Sequence, residues 1–304
     1  MKKIVLNRER SFASILSGAF LFPKQEWKSF VKVFCLLALP LILVDLIFQS
    51  TLVRVIYEGA YSSTFGLTLK QQVEASIWAM NGGWGEDAMI FFWPIVAAWL
   101  SQMVVSFWVI LMSLSYLRVY QDHPEKEPGT VTAREVWRVM RRKWLPLLGW
   151  GVLYTLIVCL TFPLLFVPGI YFGVTLLFGM YLIVLRDQSI GKSLSGSFVR
   201  GEWWSTFGLL LLLSIMVGLL SSAFALPYTT QTLYTTFTSA VPDPYLLSLF
   251  MLIANLGKYL LMMIVLSGMG LKFYSILESR EHTALYDRIE SLGDPGKAAN
   301  EPVE

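Results

Sequence analysis

The chain has 304 residues, of which 55% are apolar, 14% aromatic and only 15% charged, with a net charge of +3. A soluble domain carries charge on roughly a quarter of its residues, so this composition excludes a water-soluble globule and points to lipid as the main solvent. Two cysteines and two histidines leave little from which to build a disulfide framework or a His/Cys metal site.

A helix needs about 20 apolar residues to cross roughly 30 Å of hydrocarbon. Six stretches qualify, at about 29–49, 88–117, 145–166, 170–186, 204–226 and 246–273. The fourth is the shortest. The charged approach to the first is too long for a secretory leader, so no cleavable signal peptide is expected. Cys35 and Cys159 fall inside apolar stretches and read as small buried hydrophobes, while His123 and His282 lie in separate polar segments.

Charge sets the orientation. Residues 1–32 hold seven Lys and Arg, the 118–143 loop seven, the 186–200 loop three and the end from Lys272 four. That places 21 of the 24 on one side, while the alternate segments carry only Arg54 and Lys70, and Lys258 falls within the sixth stretch. Under the positive-inside rule both termini are cytoplasmic, and the 50–87 and 227–245 segments are outside.

Each odd-numbered stretch has a similar entry. Ser11 to Trp27 precedes the first, Val131 to Trp144 the third, and Ser189 to Trp203 and Trp204 the fifth. Apolar residues recur at helical spacing in the later copies, as Val136, Trp137 and Met140 and as Ile190, Leu194 and Phe198. Thr132-Ala133-Arg134-Glu135 has the T-x-x-E pattern of a capping box. Trp27, Trp144, Trp203 and Trp204 suit the headgroup layer, as interfacial anchors. The expected architecture is all-α: six transmembrane helices as three hairpins, each preceded by a cytoplasmic interfacial helix. The second hairpin is expected to turn at Val167-Pro168-Gly169. The external insertion 50–87 contains Tyr57, Tyr61, Trp78 and Trp84, and its 68–80 part reads as a helix lying on the membrane. Residues 1–292 form a single membrane domain, and 293–304 read as a disordered cytoplasmic tail.

Few residues invite a chemical role. Asp45 and Lys258 are charges deep in apolar stretches one and six, where ions pair or face a cavity, so an Asp45–Lys258 pair is the sharp hypothesis. The plain alternative is a structural pair, or a lysine that snorkels outward. Arg138, Arg141, Arg142 and Lys143 form a basic cluster suited to anionic lipid, although topology alone accounts for it. Lys192 and Arg200, with Ser189 as the cap of a helix, suit a phosphate or headgroup; the alternative is an ordinary solvated face. Asp187 and Glu202 lack a nucleophile or metal to act with. Gly257, Gly268, Gly270, Gly149 and Gly151 permit close helix approach, and Pro40, Pro94 and Pro163 permit kinks. No nucleotide-binding, hydrolase or kinase signature is present, and neither cofactor nor metal is expected.

Three motifs carry a family resemblance. They are Arg10-Ser11-Phe12 with Ile15-Leu16, Phe20-Leu21-Phe22, Trp27, Phe30 and Pro40; Ser193 to Phe198 running into Arg200-Gly201-Glu202-Trp203-Trp204; and Phe273 to Glu278 followed by Leu285 and Arg288 to Gly293. Over most of its length except 50–87, the chain resembles a group of uncharacterised six-span membrane proteins from Bacteroidetes. It is more distantly similar to the membrane domain fused to some glycerophosphoryl diester phosphodiesterases. The resemblance implies a bacterial inner-membrane protein, and suggests assembly with other membrane proteins and an AAA+ ATPase. The phosphodiesterase catalytic domain has no counterpart here, so its chemistry does not carry over.

Scarce buried polar groups and no catalytic constellation point first to a non-catalytic membrane subunit or scaffold. Its expected partners are membrane lipids, including anionic headgroups, and other membrane proteins, with no nucleic acid. A transporter or channel for a small or lipidic solute is the alternative, and would be expected to carry more polar residues along its spans. A lipid-headgroup enzyme ranks third.

Overall fold

The computed structural model describes residues 4, 6, 8–62, 86–123, 127, 129–164, 166–194, 197–199, 201–238 and 243–281. Every regular element among them is helical: α1 (Phe12–Leu37), α2 (Leu39–Ser62), α3 (Glu86–Asp122), α4 (Ala133–Leu164), α5 (Phe166–Leu177), α6 (Gly179–Leu185), α7 (Ile190–Ser193), a 3-10 turn (Ser197–Val199), α8 (Trp203–Thr238) and α9 (Pro244–Glu281). Apolar runs of this length become helices because hydrocarbon offers no partner for backbone N–H and C=O groups. Five stretches are long and apolar enough to cross a bilayer: Phe92–Asp122, Ala133–Thr161, Val167–Leu185, Trp203–Tyr234 and Tyr245–Glu281. A sixth is added if the bent pair Phe12–Leu37 and Leu39–Leu52 counts as one span. The architecture is that of a multi-pass helical membrane protein.

Several expected boundaries move. Residues 12–27 are the opening half of α1, continuous with the first apolar stretch, because Lys28 and Ser29 offer no break. Residues 133–143 likewise run straight into α4. The capping box forms, with the Thr132 backbone N–H and hydroxyl both donating to Glu135 Oε2, at 3.1 and 2.8 Å. The described residues of the third copy do not form one continuous helix. They make a four-residue turn and a separate 3-10 turn, and Ser189 forms no side-chain cap bond. Gly191 weakens helix there.

The first apolar stretch is broken at Ala38, where α1 and α2 meet at 53°. Pro40 has no N–H to offer the preceding turn and its ring crowds the carbonyl of residue 36. The Trp108 indole N–H then takes up the Leu37 carbonyl at 2.8 Å. Trp108→Phe keeps the aromatic bulk and leaves that carbonyl without its donor. It is expected to lower stability by about 1 kcal/mol, read as a lower thermal midpoint in detergent.

Helix α2 continues to Ser62, into the stretch assigned to the external insertion. The 68–80 segment, Trp78, Trp84 and the 293–304 tail lie outside the described residues. Val167-Pro168-Gly169 is the first turn of α5 and not a loop. Proline is at home there, since a first-turn N–H has no intrahelical partner to lose. Helix α8 runs past 226 to Thr238. Within it the Thr230 and Thr232 hydroxyls donate to the carbonyls of Leu226 and Tyr228, both at 2.8 Å, which gives these polar groups a partner inside the helix.

The chain divides into two compact units, Met1–Phe30 with Ser113–Ile215 and Met263–Glu304, and Val31–Met112 with Met216–Met262. In the first, α4 runs antiparallel to α5 and α6. The Tyr154 hydroxyl donates to the Gly173 carbonyl at 3.2 Å, and Gly179 lies against the Trp150 ring. The buried end of α9 packs at Gly268, where an added Cβ would sit 2.6 Å from Leu213 and 2.8 Å from Ala19. Tyr181 fixes α6 to α9 through a 2.8 Å bond to the Leu266 carbonyl. Phe198 and Phe273 stack at 4.8 Å, with Phe178 against both. In the second unit Gly257 of α9 lies against the Phe224 ring of α8, and Asp45 and Gln49 of α2 face Ser101 and Ala98 of α3.

Outward faces are apolar. Only 11% of the most apolar window of α4 is buried within the chain, against 56% for Val167–Leu185. Leu145, Val152, Leu156 and Leu160 of α4 and Leu211, Ile215 and Leu219 of α8 are exposed. Surfaces of this kind are stable only against lipid or another apolar face.

Candidate functional site

Three helices of the second unit bring polar side chains together inside apolar surroundings. Asp45, only 1% exposed, accepts the Ser101 hydroxyl at 2.6 Å and the Gln49 amide at 3.4 Å, both through Oδ1. Gln49 also donates to the Ala98 carbonyl at 3.0 Å. Asp45 Oδ2 is buried with no hydrogen-bond partner among the described residues. Next to Ser101 on α3, Gln102 donates to the Tyr259 hydroxyl of α9. Lys258 extends over the Tyr259 ring, 5.2 Å from its centroid.

Asp45 and Lys258 thus belong to one neighbourhood, and the Asp45 charge acts on Lys258. Among the described residues no ion pair within 4.0 Å joins them. Asp45 is tied to α3 instead, and Lys258 lies on an exposed position of α9. The sequence marks the two charges. Their hydroxyl and amide neighbours are not legible there, because Ser101 and Gln102 resemble any polar residues of a long span.

The first unit holds a second constellation. Arg118 donates to Asp187 Oδ2 at 2.5 Å and to the Val184 carbonyl at 2.6 Å, and Lys143 pairs with Asp187 Oδ1. Arg118 thereby caps the C-terminus of α6, where cations are favoured. Asp187 adopts φ 54°, a left-handed conformation that aspartate tolerates better than most residues. The Arg118 hydrogen bond, helped by Lys143 and opposed by slight burial, lowers its carboxyl from the ordinary 3.8 to about 2. A depressed carboxylate stabilises the fold fully above its unfolded value and loses that contribution as the pH falls through the folded value. The stability advantage of wild type over Asp187→Asn is therefore expected to hold at neutral pH. It should fade between 3.8 and about 2, read by detergent-phase unfolding at stepped pH.

The other predicted residues fall as follows. Arg138, Arg141 and Arg142 are exposed on the opening turns of α4, beside exposed Trp137 and Trp144, while Lys143 is committed to Asp187. Lys192 is exposed and Arg200 lies outside the described residues. Trp27 and Trp204 are exposed; Trp203 stacks on Phe207 and Tyr171. Glu202 pairs with Lys272 of α9 at 2.9 Å, which gives it a structural partner. Cys35 and Cys159 are free and exposed, not buried as expected, because each lies on the outward side of an apolar helix. Sequence reasoning missed Glu26. It is 0% exposed and accepts the Tyr116 hydroxyl at 2.7 Å and the Gly129 N–H at 3.0 Å.

No protein-family model, curated protein or solved structure matches this chain.

Proposed function

We propose that the chain is a non-catalytic subunit or scaffold of a bacterial cytoplasmic-membrane complex. Six spans form three hairpins, both termini are cytoplasmic, and the bent α1–α2 pair serves as the first span. The assignment to a Bacteroidetes-type six-span family is part of the same proposal. One observation carries it most: the polar groups within apolar helices are used to join helices. Asp45 and Gln49 hold α2 to α3, Gln102 holds α3 to α9, and Trp108 holds the α1–α2 bend. A helix that spends its polar side chains on its neighbours is built for fixed packing. The outward faces of α4 and α8 provide apolar area for lipid and companion proteins. Exposed Arg138, Arg141 and Arg142 with Trp144 suit an anionic headgroup layer.

The reading is tested by tagging the C-terminus, extracting the protein from its native membrane in mild detergent and identifying co-purifying proteins by mass spectrometry. A stoichiometric partner set supports it. Recovery of the protein alone contradicts it and turns attention to transport, for which the cluster around Asp45 is the one structural argument.

A further inference from the structure

Helix α4 has one face fixed inward, since Val136, Met140, Leu147 and Trp150 are buried and Lys143 is held by Asp187. The opposite face is thereby fixed outward. At helical spacing it reads Arg138, Arg141, Leu145, Leu148, Val152 and Leu156, all exposed. The stripe is cationic at its head and apolar thereafter. Its apolar window is also the least covered of the five candidate spans, with 11% buried.

The arginines at the head are unspent. Arg118, Lys143, Arg186 and Lys272 each pair with a carboxylate. Exposed Arg134, Arg138, Arg141 and Arg142 make no side-chain ion pair or hydrogen bond among the described residues. Glu135, the acid in their midst, is taken by the Thr132 cap. Guanidinium forks match phosphate oxygens two at a time. Unpaired arginines at the head of an apolar stripe therefore fit a ligand that is phosphate at one end and hydrocarbon at the other. The lengths agree, because Leu145 to Leu156 spans about 16 Å, close to one leaflet of a roughly 30 Å core.

We propose that the outward stripe of α4 is a retention site for one anionic glycerophospholipid of the cytoplasmic leaflet. Arg138 and Arg141 hold its phosphate, and an acyl chain lies along Leu145 to Leu156. A second copy of the chain fits the stripe less well. Closed dimers in a membrane turn about an axis along the bilayer normal, which would set these arginines against their own copies at equal depth. Close helix pairing in lipid also uses small residues, whereas the stripe offers Leu and Val, and Gly149 is turned inward against Ile190. The site rests on the membrane placement proposed above and fails separately from the subunit reading. That reading is lost when no protein co-purifies, this one when the lipid does not bind.

Protein stripped of lipid in a neutral detergent is given phosphatidylglycerol or phosphatidylcholine and read by native mass spectrometry and by thermal midpoint. Phosphatidylglycerol is expected to form a one-to-one adduct and to raise the midpoint beyond the effect of phosphatidylcholine, since a ligand of the folded state stabilises it. Arg138→Gln with Arg141→Gln should weaken the adduct about tenfold or more. Lys24→Gln with Lys28→Gln removes as much charge from exposed positions of α1 and should leave it unchanged. Equal binding of the two lipids would overturn the proposal. Equal loss in the two double variants would overturn it in favour of bulk surface charge. Cys159 is exposed on the same side of α4, so mild oxidation of Cys35→Ser protein in native membranes tests for a second copy. A dimer cross-linked through Cys159 would overturn the lipid site in favour of that copy. Should the arginine variant fail to fold, the two lipids on wild type decide alone.

Discussion

Gly179→Ala is expected to be among the most damaging single changes in the protein, although it adds one methyl group. Gly179 begins α6 against α4, and a Cβ there would run into the Trp150 ring. Trp150 is itself 3% exposed, so the ring has no free direction in which to move. Overpacking of this kind costs about 1–3 kcal/mol, and the upper end is expected where the obstacle is a buried indole. Gly151→Ala is the matched control, since nothing lies within 4 Å of an added Cβ at that position of the same hairpin. Alanine also favours helix over glycine by nearly 1 kcal/mol, so Gly151→Ala should be neutral or slightly stabilising. The pair is compared by thermal unfolding in one detergent. Equal midpoints for the two variants would show that α4 and α6 do not pack as described.

The second large effect is expected at Glu26. Its carboxylate is fully buried in α1, bonded to Tyr116 of α3 and to the backbone of Gly129. Ser29, one turn on, donates to the Val131 carbonyl at 2.5 Å, so α1 holds the 129–131 segment at two points. Gly129 has φ 80°, a conformation that costs glycine little and disfavours other residues. Glu26→Ala leaves a buried tyrosine hydroxyl and a backbone N–H without their acceptor. Each such loss is worth about 1–3 kcal/mol, so a total of about 3 kcal/mol is expected. Tyr116→Phe removes only one donor and should cost about 1 kcal/mol. Limited proteolysis near 129–131, together with the thermal midpoint, separates a loosened loop from general unfolding. An unchanged cleavage rate in Glu26→Ala would remove the anchoring role.

These two sites mark the limits of what the sequence shows. The apolar runs are legible because their length is dictated by bilayer thickness, and the helices appear where the runs are. The Thr132–Glu135 cap is legible because it is a local arrangement of four residues. Pro40 and the glycines at 257 and 268 are legible as kinds of event, a bend and a close approach, though their partners Trp108, Phe224 and Leu213 are not. The first two entry segments run on into α1 and α4 because a change from polar to apolar does not stop a helix. Only a backbone break does that, and α1 and α4 have none at the junction. Glu26 stayed hidden because a buried acid with donors and a solvated acid look alike in a sequence. Asp45 and Lys258 were visible through their apolar setting, but their actual neighbours depend on how α2, α3 and α9 meet.

The placement of Asp45 within hydrocarbon and of the arginines at a headgroup layer both depend on one topology. Single-cysteine variants at Thr130, Gln188 and Asp243, in a background lacking Cys35 and Cys159, test it with a membrane-impermeant maleimide. Asp243→Cys is expected to be labelled in intact cells, and Thr130→Cys and Gln188→Cys only after the membrane is opened. Labelling of Gln188→Cys from outside, or protection of Asp243→Cys until the cells are opened, would contradict it.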